Sequence, residues 1–168
     1  MNRYIVSVLV ANKFGVLNRV TSMFRRRQFN IRSLTVSETE SYDYSRITVT
    51  YEGDINKKQQ LINQLYKLPD VVSIKEHDRD NSVCYEMLLI KMENDRASRA
   101  DILAAADAFD AKTVEYSKDS IIFRLTDDTR RIDDFICLMQ DFKILEICRT
   151  GLVSLERGGS VIRDVTNY

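Results

Sequence analysis

The apolar residues of this chain repeat one order of elements twice, and that repeat limits the folds open to it. Ile5 to Val10 is a mostly apolar run suited to a central strand. Val16, Leu17, Val20, Met23 and Phe24 then keep helical spacing as far as Arg25-Arg26-Arg27, cations that suit the negative end of a helix dipole. Leu34 and Val36 alternate in a second strand, the polar ETESYD makes a turn, and Ile47, Val49 and Tyr51 mark a third strand. Asp54 is a candidate N-cap for a second helix with Leu61, Ile62, Leu65 and Leu68 as its buried stripe and Pro69 just past its end. Val71 to Ile74 supplies a fourth strand, completing the order βαββαβ.

Beyond the polar HDRDN, residues 77 to 81, the order restarts. Val83 to Met92 reads as a strand, Ile102, Leu103, Ala106 and Phe109 as a helix stripe, and Val114 to Tyr116 with Ile121 to Leu125 as a hairpin. Thr129 is the expected cap of a helix with the stripe Ile132, Phe135, Ile136 and Met139, and Ile144 to Cys148 closes the unit as a strand. The repeat lies in pattern, since the halves share no clear residue identity. It predicts an α+β chain of two ferredoxin-like βαββαβ domains, residues 1–77 and 82–157, each a four-stranded antiparallel sheet with two helices on one face. Residues 158–168, with Gly158-Gly159 and few apolar side chains, read as a flexible tail. A sheet covered on one face leaves its other face and its edge strands to be covered by something else, so self-association is expected.

Composition narrows the function classes. The 168 residues include 25 basic and 25 acidic ones, which recommends neither nucleic acid nor an anionic membrane as a partner. The opening MNRYIVSVLV breaks at Asn12-Lys13 without a small-residue cleavage site and reads as a strand rather than a signal peptide. No stretch approaches the ~20 apolar residues of a membrane helix. Cys84, Cys137 and Cys148 are odd in number and widely spaced, which argues against a disulfide framework and against C-x-x-C ligation and points to a reducing cytoplasm.

A search for catalytic chemistry yields little. The single histidine, His77, sits among charged residues of the expected linker and reads as a solvated loop residue with no Ser or Cys nucleophile beside it. No Walker A pattern, G-x-G-x-x-G fingerprint or clustered His/Cys set is present, and Gly158-Gly159-Ser160 is too short for a phosphate cradle. Asp127-Asp128 and Asp133-Asp134 surround a helix start, where carboxylates favour the dipole. The reading is a non-enzyme with no catalytic and no metal-binding residues. RNA-recognition motifs share the βαββαβ order, but they carry stacking aromatics where the third strand here reads SRITVTY, and Tyr42 and Tyr44 fall in the preceding turn.

The stretch ANKFGVLNRV, residues 11 to 20, remains. A strand-to-helix turn presents unpaired N–H groups, here around Gly15, Val16 and Leu17, that suit a carboxylate at the positive end of the dipole. Gly15 permits close approach, and the Asn12 amide can accept a hydrogen bond from an ammonium group. A free α-amino acid fits. A turn Asn followed by a glycine with an unusual backbone angle explains the same residues without a ligand. Asn30 is equally ambiguous, because it could be a left-handed helix C-cap.

NKFGVLNRVTSMFRRRQFNIRSLTVSETE, followed by SRITVT and YKLPDVVSI, resembles the N-terminal ACT domain of the small, regulatory subunit of acetolactate synthase, also called acetohydroxyacid synthase. EICRTGLVSLERG is similar to the C-terminal signature of that family, R-[S/T]-G followed by a strand and R-G, so the resemblance spans nearly the whole chain. It implies an ACT domain, a second ferredoxin-like domain, and ACT domains paired edge to edge in a homodimer. It also implies an effector, valine or another branched-chain amino acid, at that interface. Asn12, Gly15, Val16 and Leu17 would hold it from one protomer, and Asn30 with Ile31 would close the site from the other. Arg32 departs from the family pattern, where an acidic residue is expected.

The implied role is allosteric. A separate catalytic large subunit would carry thiamine diphosphate, Mg²⁺ and FAD and condense pyruvate with pyruvate or 2-oxobutyrate. This chain, with no cofactor of its own, would raise that activity and confer feedback inhibition. A stand-alone ACT-type amino-acid sensor acting on another partner explains residues 1–76 equally well, but leaves Arg149-Thr150-Gly151 without a reason.

Overall fold

A computed structural model describes residues 2–164. They form nine strands, four α-helices and one short 3₁₀ helix, in the order β1 (Asn2–Ala11), α1 (Val16–Arg26), β2 (Ile31–Glu38), β3 (Tyr44–Gly53), α2 (Ile55–Leu65), β4 (Val71–His77), β5 (Ser82–Glu93), α3 (Arg99–Ala108), β6 (Lys112–Tyr116), β7 (Ser120–Asp127), α4 (Thr129–Met139), β8 (Ile144–Arg149) and β9 (Val153–Glu156). The 3₁₀ helix, Ile162–Asp164, follows β9. The chain divides into two compact units. One contains the described residues through Cys84 together with those from Leu152 onward, and the other is Tyr85–Gly151. The contacts therefore assign residues 152–157 to the first unit rather than to the second expected domain.

The first unit is built on an antiparallel sheet of order β2-β3-β1-β4. Alternation sends Val6, Val8, Val10, Ile47, Val49 and Tyr51 to one face, where they meet Val16, Val20 and Phe24 of α1 and Leu61, Ile62 and Leu65 of α2. The opposite face carries Ser7, Arg46, Thr48, Lys75 and His77, with the Ser7 and Thr48 hydroxyls 3.1 Å apart. The α2 cap is as expected, since Asp54 accepts a hydrogen bond from the Lys57 N–H at 2.8 Å.

Helix α1 ends in a Schellman motif. The Phe29 N–H donates to the Phe24 carbonyl, the Gln28 N–H donates to the Arg25 carbonyl, and the Phe24 and Phe29 rings pack edge to face at 6.1 Å. The left-handed residue of this motif is Gln28, at φ 57°, not Asn30. Asn30 is thereby released from the structural role that competed for it.

Three further expectations change. His77 ends β4 instead of lying in a linker, because the strand continues past Ile74 and pairs His77 with Ile5. Tyr44 opens β3 instead of lying in the preceding turn. Residues 158–164, read as the start of a flexible tail, include the 3₁₀ helix, and Arg163 pairs with Glu40 at 2.9 Å and lies over the Tyr44 ring. Residues 165–168 of that expected tail lie outside the described residues. Strand β9 pairs with β5, and at its end the Arg157 N–H donates to the Asn81 carbonyl.

In the second unit the order is β6-β7-β5-β8, again antiparallel, with α3 and α4 against one face through Leu88, Ile90, Phe123, Ile102, Phe135 and Met139. With β9, the sheet through β5 has five strands where four were expected. The α4 cap is Asp128, which accepts from the Arg131 N–H at 3.0 Å, rather than Thr129. Asp127 pairs with Arg131, which accounts for the first acidic pair without catalysis. Leu103 lies on the outer edge of the α3 stripe and is partly exposed, while Ile102 and Ala106 are buried.

Arg149-Thr150-Gly151 acquires a structural reason within this unit. Arg149 joins Asp133 at 2.7 Å to Glu86, which is 4% exposed and would otherwise be a buried unpaired charge. Burial works against the Arg149 charge, but the hydrogen bonds it donates to Glu86 and Asp133 outweigh it and raise its pKa. Thr150 accepts from the Met87 N–H at 3.0 Å, and Gly151 turns the chain at φ 84°.

Candidate functional site

The turn between β1 and α1 forms the wall of an open groove of about 810 Å³. Gly15 is the N-cap of α1 at φ 80°, a left-handed conformation that favours glycine, and beyond its two chain neighbours no atom of the described residues lies within 4 Å of where its Cβ would stand. No side chain caps the helix and no acidic residue lies in its first turn. Val16 donates weakly to the Lys13 carbonyl at 3.3 Å, while the N–H groups of Gly15 and Leu17 have no acceptor among the described residues. The helix start is thus an unoccupied donor set at the positive end of a dipole. The Val16 side chain is buried in the core, so only its backbone can serve a ligand.

Asn12 is oriented by its neighbours. Its Nδ2 donates to the Glu38 carboxylate at 3.3 Å and to the Tyr42 carbonyl at 3.0 Å. Both partners are acceptors only, so the amide nitrogen must face them and Oδ1 is left to accept from another donor. Carboxylate-binding N–H groups and a fixed acceptor therefore share one groove. Lys13, Phe14, Asn18 and Thr21 also line it, and Phe14 is fully exposed. Sequence reasoning passed over these four and Glu38. The three-residue spacing from Asn18 to Thr21, on the helix face that begins at Gly15, could have signalled two of them.

Asn30 and Ile31 lie elsewhere in the protomer. Ile31 opens β2 opposite Tyr51, whereas Glu38 at the other end of β2 lies opposite Ser45, close to the Asn12 turn. Seven residues at ~3.3 Å each separate these ends by about 23 Å. One protomer does not bring the six expected site residues together. Between Ile31 and Ser33 the register shifts, and Arg32 reaches Glu52 at 3.0 Å. That hydrogen bond holds the Glu52 carboxyl below its usual range.

His77 is not a solvated residue. It is 9% exposed, with Nδ1 3.2 Å from the Ser82 hydroxyl and Nε2 2.9 Å from the Ser7 hydroxyl. Burial, aided by the Arg46 charge, lowers its pKa to about 4 and keeps it neutral. Ser7 is wholly buried, and Nδ1 meets a hydroxyl instead of a carboxylate, so the pair lacks both the access and the orienting acid of a nucleophilic site. Among the described residues no group of His, Cys, Asp and Glu is arranged to hold a metal ion, and no helix is long and apolar enough to cross a membrane.

These features define a two-domain ferredoxin-like chain with an ACT-type first domain. Family models agree: residues 6–73 match the acetohydroxyacid synthase small-subunit-like ACT domain, and residues 85–158 match the small subunit of acetolactate synthase. A probable acetolactate synthase small subunit from Archaeoglobus fulgidus is 42% identical over 93% of this chain and 98% of its own. The acetolactate synthase small subunit of Mycolicibacterium smegmatis is 40% identical over 91% of this chain and 90% of its own. The crystal structure of the acetolactate synthase small subunit from Thermotoga maritima superposes with a TM-score of 0.87 at 34% identity, covering 95% of this chain and all of that one. The chain belongs to the acetolactate synthase small-subunit family, and its role is regulatory.

Proposed function

We propose that this chain binds the catalytic subunit of acetolactate synthase, raises its activity and makes it sensitive to valine or a related branched-chain amino acid. The observation that carries the effector reading is the β1–α1 groove, where uncapped N–H groups and the fixed Asn12 oxygen match the two charged ends of an α-amino acid. Strand β2 is an edge of the first sheet and pairs only with β3 among the described residues. Antiparallel pairing of β2 with the same strand of a second copy would bring Asn30 and Ile31 of that copy beside the Glu38 end, and so beside the Asn12 turn. A homodimer joined in this way supplies the half of the site that one protomer lacks. The chain itself forms no acetolactate; thiamine diphosphate, Mg²⁺ and FAD belong to the catalytic subunit.

The effector acts by binding the less active state of the complex more tightly, a preference of about 1 to 3 kcal/mol. The test is acetolactate formation by the cognate catalytic subunit titrated with this chain, with and without valine. Turnover should rise with added chain and fall with valine. Unchanged turnover at saturating ratios would overturn the regulatory-subunit reading in favour of a sensor for another partner.

A further inference from the structure

The open face of the first sheet holds a second cavity, of about 470 Å³, between Glu40, Arg46, Lys75 and His77 and the segment from Leu155 to Asp164, in which Glu156 and Asp164 also line it. It lies wholly within the first unit, and the effector reading does not use it. Its cations are not equivalent. Lys75 pairs with Glu156, and Arg163 pairs with Glu40. Arg46 has no carboxylate within 4 Å among the described residues and instead spends one nitrogen, Nη2, on neutral groups: the Ser154 carbonyl at 2.7 Å, the Ser7 hydroxyl at 3.1 Å and the His77 ring at 3.4 Å. Nε and Nη1 make no hydrogen bond to any described residue, and Arg46 lines the cavity. A half-buried guanidinium with spare donors and no carboxylate in direct contact lacks the close partner that desolvated charges require. Burial correspondingly lowers the Arg46 pKa, which the charge of Glu40, a lining residue of the same cavity, partly offsets.

Of the carboxylates that line the cavity, Glu156 is paired with Lys75, Glu40 is paired with Arg163, and Asp164 is exposed. His77 is held neutral by burial and by the neighbouring Arg46 charge, and adds no charge. The Ser160 hydroxyl lies 3.3 Å from Lys75 Nζ and faces the same space. Gly158, at φ 81°, lets the covering segment turn, and ion pairs at Glu156 and Arg163 hold that segment at both ends. We propose that this cavity binds a small oxyanion, a carboxylate or a phosphate, through Arg46 beneath the segment 157–164.

The test uses the full chain, titrated calorimetrically with inorganic phosphate and separately with acetate at constant ionic strength set by chloride. Arginine Hε–Nε cross-peaks are followed by NMR in parallel, and the Arg46 peak is assigned from its loss in Arg46→Lys. The expected result is one saturable site per chain with movement of the Arg46 peak, and at least about tenfold weaker binding in Arg46→Gln at an unchanged melting temperature. Saturation by phosphate alone identifies a phosphate site, and saturation by acetate a carboxylate site. The proposal is overturned if neither anion saturates, or if Arg46→Gln binds as the unaltered chain does. Should Arg46→Gln fail to fold, an Arg46 cross-peak unmoved by both anions overturns it.

Discussion

Replacing Gly15 by Asp and, in parallel, by Ala separates a ligand site from a structural turn. Gly15 sits at φ 80° with open space around its missing Cβ, so either side chain enters the groove without a clash. What both share is the left-handed backbone, which costs a residue with a Cβ about 1 to 2 kcal/mol. Asp recovers part of this, because a carboxylate at the N-cap faces the uncapped helix start. Gly15→Asp should therefore melt no lower than Gly15→Ala. Only Asp places a charge beside the carboxylate of a bound amino acid. At ~4 Å the repulsion is about 1 kcal/mol in water and about 4 kcal/mol at an effective dielectric constant of 20, which lowers affinity by roughly one to three orders of magnitude. The open groove of one protomer belongs near the lower end and a groove closed by a second copy near the upper. Calorimetry with valine on both variants, with their melting temperatures, reads the difference. Equal valine affinity in Gly15→Ala and Gly15→Asp would refute the placement of the carboxylate.

Glu38→Ala removes a partner that orients the Asn12 amide, so the preference for valine over 3-methylbutanoate, which lacks the ammonium group, should fall about tenfold; an unchanged ratio of the two affinities would show that Glu38 does not set the acceptor. His77 has a folded pKa near 4 against 6.5 in the unfolded chain, so its contribution is complete above pH 6.5 and is lost as pH falls toward 4. By pH 5 the loss is about 2 kcal/mol, read as a drop in the urea midpoint that is smaller in His77→Gln. Arg46, Glu156 and Lys75 are the charged groups that act on this ring. The Tyr51 hydroxyl is buried without a hydrogen-bond partner among the described residues, so Tyr51→Phe should leave stability unchanged or raise it by about 1 kcal/mol, and a clear loss would reveal a further partner.

Much of the fold was legible because each element has a single period. Val6, Val8 and Val10 against Val16, Val20 and Phe24 announce a strand and a helix that share a core, and they do so. What escaped was set by partners distant in sequence. Strand β4 extends to His77 because β1 supplies a neighbour as far as Ile5, which no local propensity in KEHDRD foretells. The segment after Gly151 resembled a strand and a loose tail, yet its place depends on Asn81, Glu40 and Tyr44, residues far away along the chain. The site was half legible. Gly15 and Asn12 show their chemistry in the sequence, while Glu38 emerges only when the end of β2 is laid beside the turn. Arg149-Thr150-Gly151 carries the opposite lesson, since its ion pairs and turn account for it without invoking a partner.

The central claim, an effector held between two copies of the chain, is tested most directly by mixing two variants that each bind valine at least about tenfold more weakly. Gly15→Asp disables the turn, and Asn30→Ala disables the part supplied by the other protomer. In a mixed dimer one site carries both changes and the other carries neither. After subunit exchange at equal ratio, about half of the dimers are mixed, so valine binding should return at about a quarter of the unaltered capacity and with unaltered affinity. If exchange is verified by mass and no sites of unaltered affinity return, the two halves of the site come from the same chain, and the account is wrong.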